Sequence, residues 1–370
     1  MTNLLIAAGG GGDVITTTAV HAALHGVGSP ALVLTYAWER LTVDPVPGPR
    51  RASDFTDTVA AGSVLRLLTP ASAPVPPAGS SLPRLAADLP VRLGLLDPYD
   101  GAVGLARQVE EAAAYCGATR IDIVDVGGDI LTDGTEPTLR SPLGDALVLA
   151  ACAGTGLPAR VHVAGPGLDC EIPEKDVLRR LEGTPPAMTL TPRHTGVVEH
   201  VFDWHPSEAS ALVAAAAHGV RGVCGIRDAP QPVPLTDTGA CVYRLPLARA
   251  LALNPLARAL RDTTALARAE DVSRRVCGFS EIARERERAR TGTWRDPASG
   301  TQRARGSRTT LADRFTHWSA QIAGHGIQYV TTRRVREELD LTADEFSRLR
   351  DQQRHGRTGD AGSPLWRVEQ

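Results

Sequence analysis

An α/β fold built on a doubly wound, mostly parallel sheet with helices on both faces is predicted by three observations. First, short aliphatic or β-branched runs at residues 3–8, Ile121–Val126 and Ala159–Ala164 carry too few polar residues for half-exposed strands, and they alternate with Ala/Leu-rich helical segments, as buried parallel strands require. Second, each run stops at glycine followed by acid: Gly9-Gly10-Gly11-Gly12-Asp13, Gly127-Gly128-Asp129, and Gly165-Pro166-Gly167-Leu168-Asp169-Cys170-Glu171. Such sheets bind ligands in the crevice outside their carboxyl edge, so three parallel strands ending this way predict a small-molecule site. Third, composition changes near Ser280, where EIARERERARTGTWRDPASGTQRARGSR is almost devoid of aliphatics. The chain therefore divides into a Rossmann-like α/β domain over 1–280, an arginine-rich helix and linker over 281–310, and a small helical appendage over 311–370.

Composition narrows the function classes. The 42% hydrophobic and 22% charged residues are those of a globular protein. A net charge of -2 and a pI near 6.6 give no general attraction to nucleic acid or to anionic lipid. The six cysteines, Cys116, Cys152, Cys170, Cys224, Cys241 and Cys277, are scattered with no CxxC pair, which predicts reduced, buried thiols. The beginning of the chain lacks a basic segment followed by an apolar run, and nothing approaches the roughly 18 apolar residues of a spanning helix. A cytoplasmic protein with no membrane partner is the expectation.

In chain order, residues 3–8 predict the first strand and 14–25 a helix, joined by the glycine turn whose helix-start amides can hold an anion. The turn is not the dinucleotide fingerprint. From Gly9 that pattern needs glycine where Val14 stands, and from Gly10 where Ile15 stands, which disfavours NAD. Asp13 either caps the helix or receives a hydroxyl, an amine or a metal. A second strand at 31–37 ends in Trp38-Glu39-Arg40, and Pro45, Pro47 and Pro49 make the following loop stiff. There Glu39 suits a ribose-type hydroxyl and Arg50 a carboxylate or phosphate, or the two form surface ion pairs. Residues 64–68 predict a third strand, 69–83 a flexible loop, and 97–115 a helix.

The central strand follows, then Asp133, Glu136, Arg140, Ser141 and Asp145, with Asp145 read as a cap at the start of the next helix. Residues 175–182 predict a short helix. His194, His200 and His205 are spaced by six and five residues, which matches no common ligand pair, so no metal site is expected of them. Residues 205–218 predict a helix with Pro206 in its first turn and Ser207 and Glu208 facing outward. Further strands are expected at 220–226 and, at an edge, 241–247, with a helix over 254–276. In the tail, Thr342 and Glu345 predict a capping box. A helix-turn-helix there is weakened by its acids, so packing or homo-oligomerisation is the expected role.

The acids predict chemistry at the sheet edge. Asp125, Asp129, Glu136, Asp145, Asp169 and Glu171 are more carboxylates than one cap and one turn need, and crowded carboxylates share protons, bind a cation or engage an amine. Catalysis is assigned to Asp125, Asp129, Glu136, Asp169 and Glu171. Ligand binding is assigned to Gly9, Gly10, Gly11, Gly12, Asp13, Trp38, Glu39, Arg40, Arg50, Gly127, Gly128, Ser141, Asp145, Gly165, Gly167, His205 and Glu208. With no GxSxG motif and no histidine paired to Ser141 or Cys170, no nucleophile stands out. The cofactor stays unassigned, and Mg²⁺ is compatible with the acids. The expected function is a hydrolase or group transferase for a small polar metabolite such as a nucleoside, nucleotide or amino-acid-like compound. The alternative is a non-catalytic sensor whose tail contacts a partner or DNA.

Five longer motifs carry a resemblance: GGGGDV from Gly9, WERLTVDPVPGPR from Trp38, DVGGDILTDGTE and SPLGD between Asp125 and Asp145, and GPGLDCE from Gly165. HPSEAS, IRD and SEIARERERA extend it more weakly. On these residues the chain resembles a prokaryotic family of unknown function, recognised mainly in archaeal genomes and also in actinobacteria, over roughly the first 290 residues. The resemblance implies one domain with one site and adds no mechanism. It also implies glycine where this chain has Cys170.

Overall fold

Nine strands run in the order Pro186–Thr189, Cys241–Pro246, Ala159–Ala164, Ile121–Val126, Asn3–Ala7, Ala31–Tyr36, Arg92–Leu96, Arg66–Leu68 and Val59–Ala60 in the computed structural model, which describes residues 2–229, 231–292, 310–354 and 363–368. The five middle strands, from Ala159–Ala164 to Arg92–Leu96, are all parallel. Two antiparallel strands extend the sheet at each end. The chain begins at the centre, adds Ala31–Tyr36 and Arg92–Leu96 on one side, then returns to add Ile121–Val126 and Ala159–Ala164 on the other. The three glycine-and-acid turns are therefore neighbours at one sheet edge, as the sequence predicts.

Alternation along each strand feeds two cores. Leu4, Ile6, Ile121 and Ile123 join the helices Gly101–Cys116 and Pro142–Gly154 on one face. Leu5, Ala7, Val124 and Val126 join the helices Asp13–His25 and Glu208–Ala217 on the other. Burial on both faces explains why the strands read as unbroken apolar runs.

Several expectations are corrected. The parallel strand Arg92–Leu96 stands where none was expected, because RLGLL has no β-branched residue and carries a central glycine. Gly94 is needed there, since a Cβ would come within 2.5 Å of a Leu34 methyl. Residues 64–68 supply only the antiparallel addition Arg66–Leu68. The 69–83 loop contains Ala73–Pro74, paired to Phe55–Thr56, and leads into the helix Leu82–Asp88. Cys241–Pro246 is not at the edge, because Pro186–Thr189 pairs outside it. The helix expected over 254–276 is two, Pro255–Leu260 and Leu266–Cys277.

A second sheet has the order Val233–Leu235, Gly222–Gly225, Tyr329–Thr331, Leu365–Arg367. The strand expected at 220–226 thus belongs to it and pairs in parallel with the tail, Cys224 opposite Tyr329. Helices Leu311–Ala323, Thr332–Glu338 and Ala343–Arg354 surround a small core that includes Phe315, Val330, Val335, Leu349 and Trp366. The capping box is present: the Glu345 carboxylate accepts from the Thr342 amide at 2.9 Å, and Thr342 Oγ1 accepts from the Glu345 amide at 3.2 Å. The arginine-rich run opens as the helix Glu281–Thr291, with Glu281 and Ile282 buried rather than solvated. The linker expected beyond it falls largely outside the described residues. Among the described residues no helix is long and apolar enough to cross a membrane. The six cysteines are all unpaired with one another, four of them buried.

Candidate functional site

A cleft of about 910 Å³ opens at the carboxyl ends of the parallel strands, a volume suited to a small metabolite. Its floor is made by the turns that follow the central strands. Gly127 and Gly128 have φ of 110° and 109°, where a side chain is strained, and a Cβ on Gly127 would strike the Asp169 carboxyl. The Gly167 amide donates to the Gly127 carbonyl at 2.7 Å, which joins the second and third turns. This bend starts the short turn Asp129–Leu131 and aims Asp129 into the cleft.

Asp125, at the end of the central strand, lies directly beneath and is 0% exposed. One oxygen each from Asp125, Asp129 and Asp145 lie within 4.8 Å of one another. Neither oxygen of Asp125 receives a hydrogen bond of ordinary geometry, nor does Oδ1 of Asp145 or Oδ2 of Asp169. Asp145 is not the cap expected of it. Ser141 holds the cap position, and other acids serve the start of its helix: Glu171 accepts from the Arg140 and Ser141 amides at 2.7 and 2.9 Å, and Glu281 from the Leu143 amide at 3.3 Å. Ser141 Oγ also donates to Glu171.

Such a pocket cannot hold every carboxyl ionised. Burial, followed by the charges of neighbouring acids, lifts Asp129, Asp145 and Asp169 well above the carboxylate range. Burial lifts Asp125 to about 6, partly offset by Asp129 and by the nearby amides of Ile130 and Gly128. Burial and then Asp125 lift Asp13 to about 8, although part of its side chain stays open to the cleft. Asp13 is the first residue of its helix and not the cap, which falls at Gly12.

The glycine run lines the cleft and is also a packing device. A Cβ on Gly10 would sit 2.6 Å from the Trp38 carbonyl, and one on Gly12 2.7 Å from Ser207 Oγ. Across the cleft, Glu39 accepts from the amide and hydroxyl of Ser81 at 2.8 and 2.6 Å. Ser81 Oγ is 3.1 Å from His205 Nε2, while His205 Nδ1 accepts from the Ser207 amide at 3.1 Å, so the ring proton sits on Nε2. Burial, then Arg40, hold His205 down to about 3.

The rim is a network of paired charges. Asp228 meets both Arg40 and Arg333. Burial opposes its ionisation, but the two arginines outweigh that and hold it down to about 2. Glu208, expected on the outer face of its helix, is 1% exposed. It accepts from the Arg227 and Asp228 amides at 2.8 and 2.9 Å and from Thr331 Oγ1, with Arg333 at 3.5 Å. Ser207, also expected to face outward, is buried and caps that helix through Ser210.

Some expected site residues lie elsewhere. Glu136 accepts from Thr132 Oγ1 and the amides of Asp133 and Gly134, both at 3.1 Å, and pairs with Arg180; it holds its own loop and does not line the cleft. Arg50 spends its donors on the Val46, Pro47 and Gly48 carbonyls and on Asp44, folding the proline loop. Gly127, Gly128, Gly165 and Gly167 shape the turns behind the lining. His194 and His200 stay apart, at Thr191 and at the Asp88 carbonyl. Cys170 has φ 63°, the left-handed conformation that favours glycine, as the resemblance implied.

The residues that sequence reasoning missed come from distant segments. Glu281 and Glu285, four apart on one helix face, line the cleft, and Glu285 accepts from Trp38 Nε1 at 3.0 Å. Their i, i+4 spacing was the available signal. Asp228 and Arg333 gave none beyond a strand end and a basic helix. Arg140, next to Ser141 in the sequence, lines the cleft as well and donates to the Asp169 and Asp228 carbonyls at 2.8 and 2.7 Å.

No curated protein and no solved structure matches the chain. Residues 4–289 match the family described as Protein of unknown function (DUF1152), and the chain belongs to that family.

Proposed function

We propose that the fold is a Rossmann-like doubly wound sheet and that the chain is an enzyme, a hydrolase or group transferase acting on a small polar metabolite. The strand order supports the first part, since it reverses beside Asn3–Ala7, the place where such sheets bind ligands. One observation carries the second. Carboxyls from successive strand ends converge in a ligand-sized cleft with oxygens left unpartnered. An unsatisfied buried polar group costs about 1–3 kcal/mol, and the helix starts and turns nearby are already served by Glu171, Glu281 and Glu136. Stability alone therefore does not account for them, and perturbed acids in a cleft are what proton-transfer chemistry uses.

Asp13, which burial and then Asp125 raise to about 8, reaches the cleft, and it gives and takes the proton. Asp169, kept protonated, donates a hydrogen bond to an oxygen on which charge develops. Eleven carboxylates against six arginines line the walls, which suits hydroxyls, amines or a cation-bound anion, as in nucleosides, nucleotides and amino-acid-like compounds.

The test is turnover of pooled metabolites of these classes by the full chain, read by mass spectrometry. One class is converted, and Asp13→Asn slows conversion by about 10²-fold or more. A ligand that binds and is never converted would overturn the reading in favour of a sensor. That second reading draws on Thr331 and Arg333, which tie the tail to Glu208 at the rim and would pass ligand occupancy to a partner.

A further inference from the structure

We propose that Asp125, Asp129 and Asp145 form a binding site for one hard divalent cation at the floor of the cleft. The proximity of the three carboxylates would not be enough by itself. The independent observation is Asp125, a fully buried side chain neither of whose oxygens receives a hydrogen bond of ordinary geometry, facing Asp129 and Asp145, of which Asp145 Oδ1 likewise receives none. A buried acceptor without a well-aligned donor is the environment that a cation satisfies.

The donor set selects the ion. All three ligands are carboxylate oxygens, with no histidine or cysteine in the group, which excludes a zinc preference and suits Mg²⁺, Mn²⁺ or Ca²⁺. Opposite ligands lie about 4.2 Å apart around Mg²⁺ and about 4.8 Å around Ca²⁺. The three oxygens fall within that span. Asp129 and Asp145 line the cleft while Asp125 lies below it, so the ion is held from beneath and its remaining positions face the ligand space. A dication there recruits an oxyanion of the metabolite, such as a phosphate or carboxylate, into a cleft otherwise rich in acids. Arg284 and Arg288 stand on the same cleft's wall to take that anion's other oxygens. The site does not depend on which reaction, if any, the cleft performs.

The experiment uses the full chain, stripped with chelator and titrated with Mn²⁺ by electron paramagnetic resonance, with Mg²⁺ and Ca²⁺ as competitors. One Mn²⁺ per chain is expected. Asp125→Asn and Asp145→Asn each weaken it at least tenfold, while Glu111→Gln, on the helix Gly101–Cys116 and outside the cleft lining, leaves it unchanged. Should Asp125→Asn fail to fold by circular dichroism, Asp129→Asn provides the same reading from the cleft side. No Mn²⁺ bound at millimolar concentration by the wild type, or equal binding by the folded variants, overturns the site. Turnover without metal binding would sink this inference and leave the enzyme reading standing; metal binding without turnover would do the reverse.

Discussion

At the rim, Asp228 lies between Arg40 and Arg333, and Glu208 takes two backbone amides, a threonine hydroxyl and Arg333. On the floor of the same cleft, Asp125 has no donor of ordinary geometry, and Asp145 and Asp169 each leave an oxygen unpartnered. The residue types are the same and the burial is similar, but the partners differ. The rim acids solve a structural problem, since they fasten the tail's sheet and the Thr332–Glu338 helix to the main sheet. The floor acids make one, and a ligand, proton or cation has to resolve it.

The largest effect expected from this contrast is at the rim. Removing one member of a buried, hydrogen-bonded charge network costs about 3–5 kcal/mol. Glu208→Ala should lose about that much in denaturant unfolding and should speed amide exchange along Tyr329–Thr331. A loss under about 1 kcal/mol would mean that the rim is surface decoration and the contrast is false.

Acidity should separate the regions next. Asp228 has a folded pKa near 2, below its ordinary 3.8, so its contribution is present above about 4 and disappears as pH falls toward 2. Asp13 is shifted the other way, from 3.8 to about 8. Its folded form binds the proton more tightly than the unfolded chain, so its contribution is complete below 3.8 and is lost as pH rises through 8. Amide exchange in the tail should therefore accelerate below pH 4, while global stability of the cation-free protein should decline between pH 4 and 8. A stability maximum at pH 8 in the absence of divalent cations would contradict the floor's half of the comparison.

The smallest effect concerns a turn between the two regions. Cys170 adopts φ 63° at the end of the third turn, a conformation that costs a side chain about 1–2 kcal/mol. Cys170→Gly should recover about 0.5–1 kcal/mol, after glycine's own entropy is subtracted. Destabilisation instead would show that the thiol's packing outweighs its backbone.

The floor was legible in the sequence because its determinants are local. Each apolar run ends at glycine and then acid within a few residues, and the run's apolar character already implied a parallel, two-face-covered strand. Asp129, Asp169 and Glu171 could be placed from that pattern. The rim was legible only in part: Arg40 and Glu208 were assigned to the site, but not the burial and pairing that hold them. Glu208 reads as a solvent-facing residue in the first turn of an alanine-rich helix, and only the arrival of Thr331 and Arg333, more than a hundred residues later, buries it. Arg92–Leu96 escaped for a related reason: its fitness as a strand lies in the space beneath Leu34, not in its own side chains. Glu136 and Arg50 were misplaced because a charged residue in a glycine- or proline-rich loop binds backbone as readily as it binds ligand.

The central claim is that the floor acids are retained at a cost to stability, and Asp129→Asn tests it most directly. The amide keeps the shape and removes the carboxyl's capacity to ionise. In the cation-free protein at pH 7 the variant should melt at the wild-type temperature or up to about 4 °C above it, the equivalent of about 1 kcal/mol for a domain of this class. Its Mn²⁺ affinity should fall at least tenfold. A melting point several degrees below wild type, with cation binding and turnover intact, would show that Asp129 is part of the scaffold and that the site lies elsewhere.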